Sequence, residues 1–92
     1  MSRRRVKRWR ISDVVRAMSA AAGDKAWWTS SLQKCAVRDA KDYGVRGLLY
    51  GWWSTMPRLL RVSEDTWIGI TDAEREALVV AEARRLKVPR RA

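Results

Sequence analysis

The residue that most constrains this chain is a glycine. Residues 31–41 carry apolar side chains at helical spacing, residues 45–56 do so again, and Gly44 falls near their junction. Glycine takes the left-handed backbone that ends a helix without the steric penalty other residues meet. Ala40, Gly44 and Val45 therefore predict two helices meeting at a tight turn, the second running until Pro57 halts it. A corner of this kind leaves apolar faces that neighbouring elements must cover.

The flanking segments read as such elements. A first helix is expected from Ser12, with Ile11, Val14, Val15, Met18, Ala21 and Ala22 on one stripe and Gly23 at its end. Ala26, Trp27 and Trp28 read as a short extended link with at least one indole buried and the other partly exposed. Ser30 and Gln33 fit a capping box for the helix that precedes Gly44. That helix places Leu32, Cys35, Ala36, Ala40 and Tyr43 on its apolar side and Lys34, Arg38 and Lys41 elsewhere. Asp39 interrupts the apolar stripe, which requires a place at the rim or a neighbouring arginine.

In the helix after Gly44, Val45, Leu49, Tyr50 and Trp53 are expected to face the core. Arg46, Gly47, Gly51, Trp52 and Thr55 then face outward, and Gly47 and Gly51 leave a strip where another surface can approach the backbone. Beyond Pro57, residues 58–62 and 66–70 read as two strands joined by a turn at Ser63, Glu64 and Asp65. Thr71 and Glu74 form a capping box that opens a last helix through about Lys87. Its apolar positions, Ala73, Ala77, Leu78, Val79, Val80, Ala81, Ala83 and Leu86, cover more than one stripe, which suits a second subunit as well as the core.

Charge divides the chain more sharply than hydrophobicity does. The net charge is +10, yet residues 1–10 carry +6, residues 84–92 carry +5, and everything between sums to −1. Such a balance favours a polyanionic partner. Residues 1–10 read as a basic arm, residues 11–87 as one domain and residues 88–92 as a basic tail. Trp9 is expected to pack on the domain. Cys35 is the only cysteine and there is no histidine, so a disulfide framework, a thiolate zinc cluster and an imidazole base are all excluded. No enzyme activity, metal or cofactor is expected. No stretch reaches the roughly 18 apolar residues of a membrane span, and an intracellular, cytoplasmic protein is expected.

The order of elements, helix, short extended piece, two helices about a glycine, hairpin, helix, resembles the winged helix-turn-helix DNA-binding domains of small bacterial and phage regulators. Ala40, Gly44 and Val45 match the small residue, turn glycine and following apolar position of that motif. The resemblance implies a mostly helical α+β fold: a three-helix core, a C-terminal β-hairpin wing and an additional C-terminal helix. It also implies that Arg46, Gly47, Leu48, Gly51, Trp52 and Thr55 approach the major groove. Glu64 and Asp65 depart from the family pattern at the wing tip, so wing contacts would fall to Arg58 and Arg61.

The function expected on these grounds is duplex DNA binding by a small transcriptional regulator, repressor or phage or plasmid control protein. Residues 45–56 would form its recognition helix. Arg46 would read guanine through its fork of donors, while Arg3, Arg4, Arg5, Lys7 and Arg8 of the arm would add salt-dependent affinity without sequence information. A homodimer through the C-terminal helix would address two half-sites. The alternative is an interaction or inhibitor protein that keeps the scaffold and uses exposed Trp and Arg to grip a host protein.

Overall fold

A computed structural model describes residues 8–91, and within them the regular structure is six helices. They are α1 (Ile11–Ala22), α2 (Ser30–Tyr43), α3 (Val45–Tyr50), α4 (Thr55–Leu60), α5 (Glu64–Gly69) and α6 (Asp72–Arg85). Helix α1 lies along α2, α2 folds back against α3, and α6 crosses α1, α3 and α4. Two isolated antiparallel bridges, Arg8 with Arg91 and Lys25 with Trp28, are the only β pairings among the described residues.

Local signals account for most helix ends. Gly23 and Gly44 both sit at positive φ, 70° and 63°, and their N–H groups donate to Ser19 O and Ala40 O of the helices they close. The corner at Gly44 thus forms where glycine permits it. The cap of α2 is Thr29 rather than Ser30, accepting from the Leu32 N–H. Gln33 does not close a box. Its amide reaches back to Gly23 O and Trp28 O, tying the start of α2 to the end of α1. At α6 the Thr71–Glu74 box forms in full, with Glu74 accepting from the Thr71 N–H at 3.1 Å and Thr71 accepting from the Glu74 N–H at 3.2 Å.

The β-hairpin wing does not form, and the fold is all-helical rather than α+β. Residues 58–60 belong to α4, and residues 66–69 belong to α5. The expected turn, Ser63, Glu64 and Asp65, is a helix start: Ser63 accepts from the Thr66 N–H, and both acids lie in the first turn of α5, where they complement the helix dipole. Acidic residues at this point are therefore helix chemistry. An isolated two-stranded ribbon is only marginally stable, whereas the helix buries Trp67 completely.

The helix expected over residues 45–56 is also broken. It ends at Tyr50, and Pro57 lies in the first turn of α4 instead of stopping a helix. In that turn no intrahelical partner is needed for the missing N–H, so proline is tolerated there. Arg61, at φ 58°, ends α4 in the left-handed conformation.

The core is built from Val14, Val15 and Met18 of α1, Ala36 and Ala40 of α2, Leu48, Met56, Leu60, Val79 and Ala83, with three tryptophans among them. Trp28 and Trp67 are fully buried and Trp52 nearly so, with Trp28 meeting Trp52 edge-on at 6.0 Å between ring centroids. Trp28 is fully buried and Trp27 half-buried, but the link expected to be extended is a tight turn: Lys25 and Trp28 exchange backbone hydrogen bonds across Ala26 and Trp27. Of the two buried charges among the described residues, Arg75 and Glu82, the first ties α5 to α6. Arg75 donates to Trp67 O at 2.7 Å and Ile70 O at 2.6 Å, closing the free carbonyls of α5, and pairs with Asp72 at 3.0 Å. A burial this deep is tolerable because the guanidinium is bonded on several sides.

Candidate nucleic-acid interface

The residues expected to form a reading surface are mostly committed within the fold. Trp52, expected outside, is 8% exposed, and its indole N–H donates to Asp39 at 2.8 Å. That bond answers the position of Asp39 in the apolar stripe, and Arg38 lies 3.8 Å from the other carboxylate oxygen. Leu48 is fully buried. A Cβ on Gly47 would stand 2.5 Å from Asp39 O, so its bare backbone is occupied by α2 of the same chain. Gly51 has no such contact closer than 3.8 Å.

The outward positions went to other residues. Tyr50 and Trp53, expected in the core, are 75% and 49% exposed, and Tyr43 is 69% exposed. The buried set, 48, 52 and 56 with half-buried 45 and 49, is itself a helical stripe at spacings of three and four. It was therefore available in the sequence.

The arginines of this half are paired. Arg46 donates to Asp72 from Nη2 at 3.0 Å and from Nε at 3.3 Å. The bond to Arg46, followed by that to Arg75, holds the Asp72 carboxyl below the usual carboxylate range. Arg61 pairs with Glu82 at 3.1 Å, and Glu82 is held low chiefly by its bonds to Arg85. Arg58 lies over the Trp27 ring, 5.1 Å from its centroid. Thr55 is half-buried in the first turn of α4. The structure does not gather Arg46, Gly47, Gly51, Trp52, Thr55, Arg58 and Arg61 into one open face.

It gathers the two basic ends instead. Arg8 and Arg91 exchange backbone hydrogen bonds, Arg8 N–H to Arg91 O at 2.8 Å and Arg91 N–H to Arg8 O at 2.6 Å. Trp9 packs on the domain and its indole N–H donates to Val88 O at 2.8 Å. Two guanidinium groups lie over its ring, Arg90 at 4.7 Å and Arg84 at 5.3 Å from the centroid. Arg91 then reaches Asp13 of α1 at 2.8 Å, which also binds Arg16 at 3.2 Å. Arg8, Arg10, Arg16, Arg84, Lys87, Arg90 and Arg91 thereby share one end of the molecule, all exposed. Arg3, Arg4, Arg5 and Lys7, expected to add affinity from the arm, lie outside the described residues.

This convergence escaped the sequence because the partners are 79 positions apart. The available signal was Trp9 inside one basic run and Val88 inside the other, two apolar residues that needed something to cover them. Elsewhere, among the described residues, no three His, Cys, Asp or Glu side chains stand together as metal ligands would. No helix among those residues is long and apolar enough to cross a membrane. Comparison with protein-family models, with curated proteins and with solved structures finds no match to this chain.

Proposed function

We propose that this chain is a nucleic-acid-binding protein, acting on duplex DNA through the pole where its basic ends meet rather than through a recognition helix. The observation that carries this reading is the pairing of Arg8 with Arg91 around a Trp9 ring flanked by Arg84 and Arg90. It joins two separate basic runs into one patch, and the opposing carboxylate there, Asp13, is already shared by Arg16 and Arg91. Concentrated cations of this kind release counterions from a phosphate backbone, so affinity depends steeply on salt and weakly on sequence. On this reading the protein is a binding module rather than an enzyme. It works in a bacterial cytoplasm, at the nucleoid, as a regulator or phage or plasmid control protein. A homodimer through the outward Ala73, Ala77 and Ala81 of α6 would double the charged surface.

The test is a titration of random-sequence duplex with the full chain at rising salt. We expect tight binding at low ionic strength, and a log–log slope of about −0.9 per phosphate neutralised. Absence of salt-dependent binding at low ionic strength sinks the proposal. A second reading, a host-protein partner, is favoured by exposed Tyr43, Tyr50 and Trp53. In that case Tyr50→Ala with Trp53→Ala abolishes capture of the partner and leaves DNA titrations unchanged.

A further inference from the structure

Beneath the basic pole lies a cleft of about 590 Å³ between the start of α1 and the end of α2, lined by Arg10, Ser12, Asp13, Arg16, Lys41 and Arg91 among others. Four cations face one carboxylate in it, and that carboxylate is spent on Arg16 and Arg91. Arg10 and Lys41 have no acidic partner among the described residues, and both are exposed. Two further features point inward at the same place.

Helix α1 begins without a side-chain cap, since Arg10 occupies the cap position. The Asp13 and Val14 N–H groups bond to Arg10 O, which leaves those of Ile11 and Ser12 without a partner among the described residues. Free amides at the start of a twelve-residue helix carry the positive end of its dipole. Ser12 is the second feature. It is only 7% exposed, it lines the cleft, and its hydroxyl has no hydrogen-bond partner among the described residues. That hydroxyl is not among the polar atoms sealed off from solvent, so it is open to a ligand entering the cleft.

We infer that this cleft is a seat for one phosphate group, held by the Ile11 and Ser12 amides, the Ser12 hydroxyl and the free charges of Arg10 and Lys41. Asp13 acts as the positioning residue: it fixes Arg16 and Arg91 at the rim and cancels part of their charge, so that Arg10 and Lys41 dominate the field. The seat rests on the nucleic-acid reading for its biological ligand but not for its chemistry, and the two are separable. Internal phosphodiesters and terminal 5′-phosphates share that chemistry.

The experiment has two arms on the full chain. In the first, backbone amide resonances are followed while inorganic phosphate is added against sodium chloride at matched ionic strength. Saturable shifts are expected at Ile11 and Ser12, with affinity lowered roughly tenfold in the Arg10→Gln/Lys41→Gln double variant, and lowered again by Ser12→Ala. Shifts that merely follow the chloride control overturn the seat. In the second arm the same variants are titrated with a short duplex bearing or lacking 5′-phosphates. Weaker binding by the variants places a nucleic-acid phosphate in the cleft. Dependence on the 5′ group assigns it to the terminus, and independence assigns it to the backbone. If duplex binds the wild type and all variants equally, and phosphate does not saturate, the seat fails while DNA binding stands. If phosphate saturates and duplex does not bind, the seat stands and DNA binding fails.

Discussion

Two regions of this molecule are rich in arginine and aromatic residues, and they use them in opposite ways. Around α3 and α4 two of the three guanidinium groups meet a carboxylate of their own, Arg46 with Asp72 and Arg61 with Glu82, and the third, Arg58, lies over Trp27. At the basic pole the ratio is reversed, with Arg84 and Arg90 both over Trp9 and one carboxylate, Asp13, shared by two further arginines. The first arrangement is cement between helices. The second projects charge. Counting basic residues cannot separate the two, because a phosphate responds to the field that remains after pairing.

Trp52 offers the largest test of this contrast. If it is core, Trp52→Ala removes a buried indole and strands the Asp39 carboxylate, lowering stability by about 3–5 kcal/mol in urea unfolding. A small domain has little more than that to lose. Trp52→Phe is therefore the informative companion: it keeps a ring against Trp28 but loses the Asp39 bond, at a cost of about 1–3 kcal/mol. Unchanged unfolding with weakened DNA binding in either variant would return Trp52 to a reading surface.

The glycines sharpen the same point at a smaller scale. A methyl on Gly47 must displace the α2 backbone, so Gly47→Ala should cost about 1–3 kcal/mol by thermal melting. Gly51 has ordinary helical angles and open space beyond 3.8 Å, so Gly51→Ala should be neutral or stabilise by about 0.4–1 kcal/mol. Equal responses at the two sites break the claim that α2 occupies the strip.

Charge variants compare the regions directly. Replacing Arg90 or Arg10 by Gln should reduce the slope of log affinity against log salt by about 1 each, since each removes one phosphate contact. Arg46→Gln should leave the slope in place, because Asp72 already neutralises that guanidinium. An equal loss from Arg46→Gln would erase the distinction. Deletion of residues 1–7, rather than 1–10, tests the arm cleanly. The longer deletion also removes Trp9 and the Arg8 bridge.

The smallest expected effect is on acid stability. Asp72 and Glu82 are both held below the ordinary carboxylate range of about 4, so on acidification the unfolded chain takes up their protons first. Their contribution is complete above that range and is lost as pH falls through the lower, folded-state values. Asp72→Asn should flatten the decline seen in melts between neutral and strongly acidic pH. An unchanged pH profile in that variant contradicts the Arg46–Asp72–Arg75 network as a source of stability.

Features legible from residue order alone were those settled within a turn of helix. Gly23 and Gly44 end helices because only local φ decides the matter, and Thr71 with Glu74 caps α6 through two bonds three residues apart. The apolar stripe of α1 and the basic ends were legible for the same reason, whereas Trp28 is buried as expected but at the end of a tight turn rather than on an extended link. The segment from Arg58 to Ile70 was not. Its β-branched and aromatic residues favour strands weakly, and that preference yielded to burying Trp67 and closing α5 with Arg75 from the next helix.

Tertiary structure decided which of two possible helical faces, and so which tryptophan, is core, and it alone decided which arginine is free. Trp52 and Trp53 are neighbours with the same side chain, and the choice between them lies with Asp39, thirteen residues earlier. Arg46 and Arg10 are equal charges in the sequence, but Asp72 packs against one and no described acid against the other. The ends of the chain meet for a comparable reason: Trp9 and Val88 cover each other, and their basic neighbours follow. Local backbone preferences set the helix boundaries, whereas the surface field is a sum over pairs that only folding brings within reach.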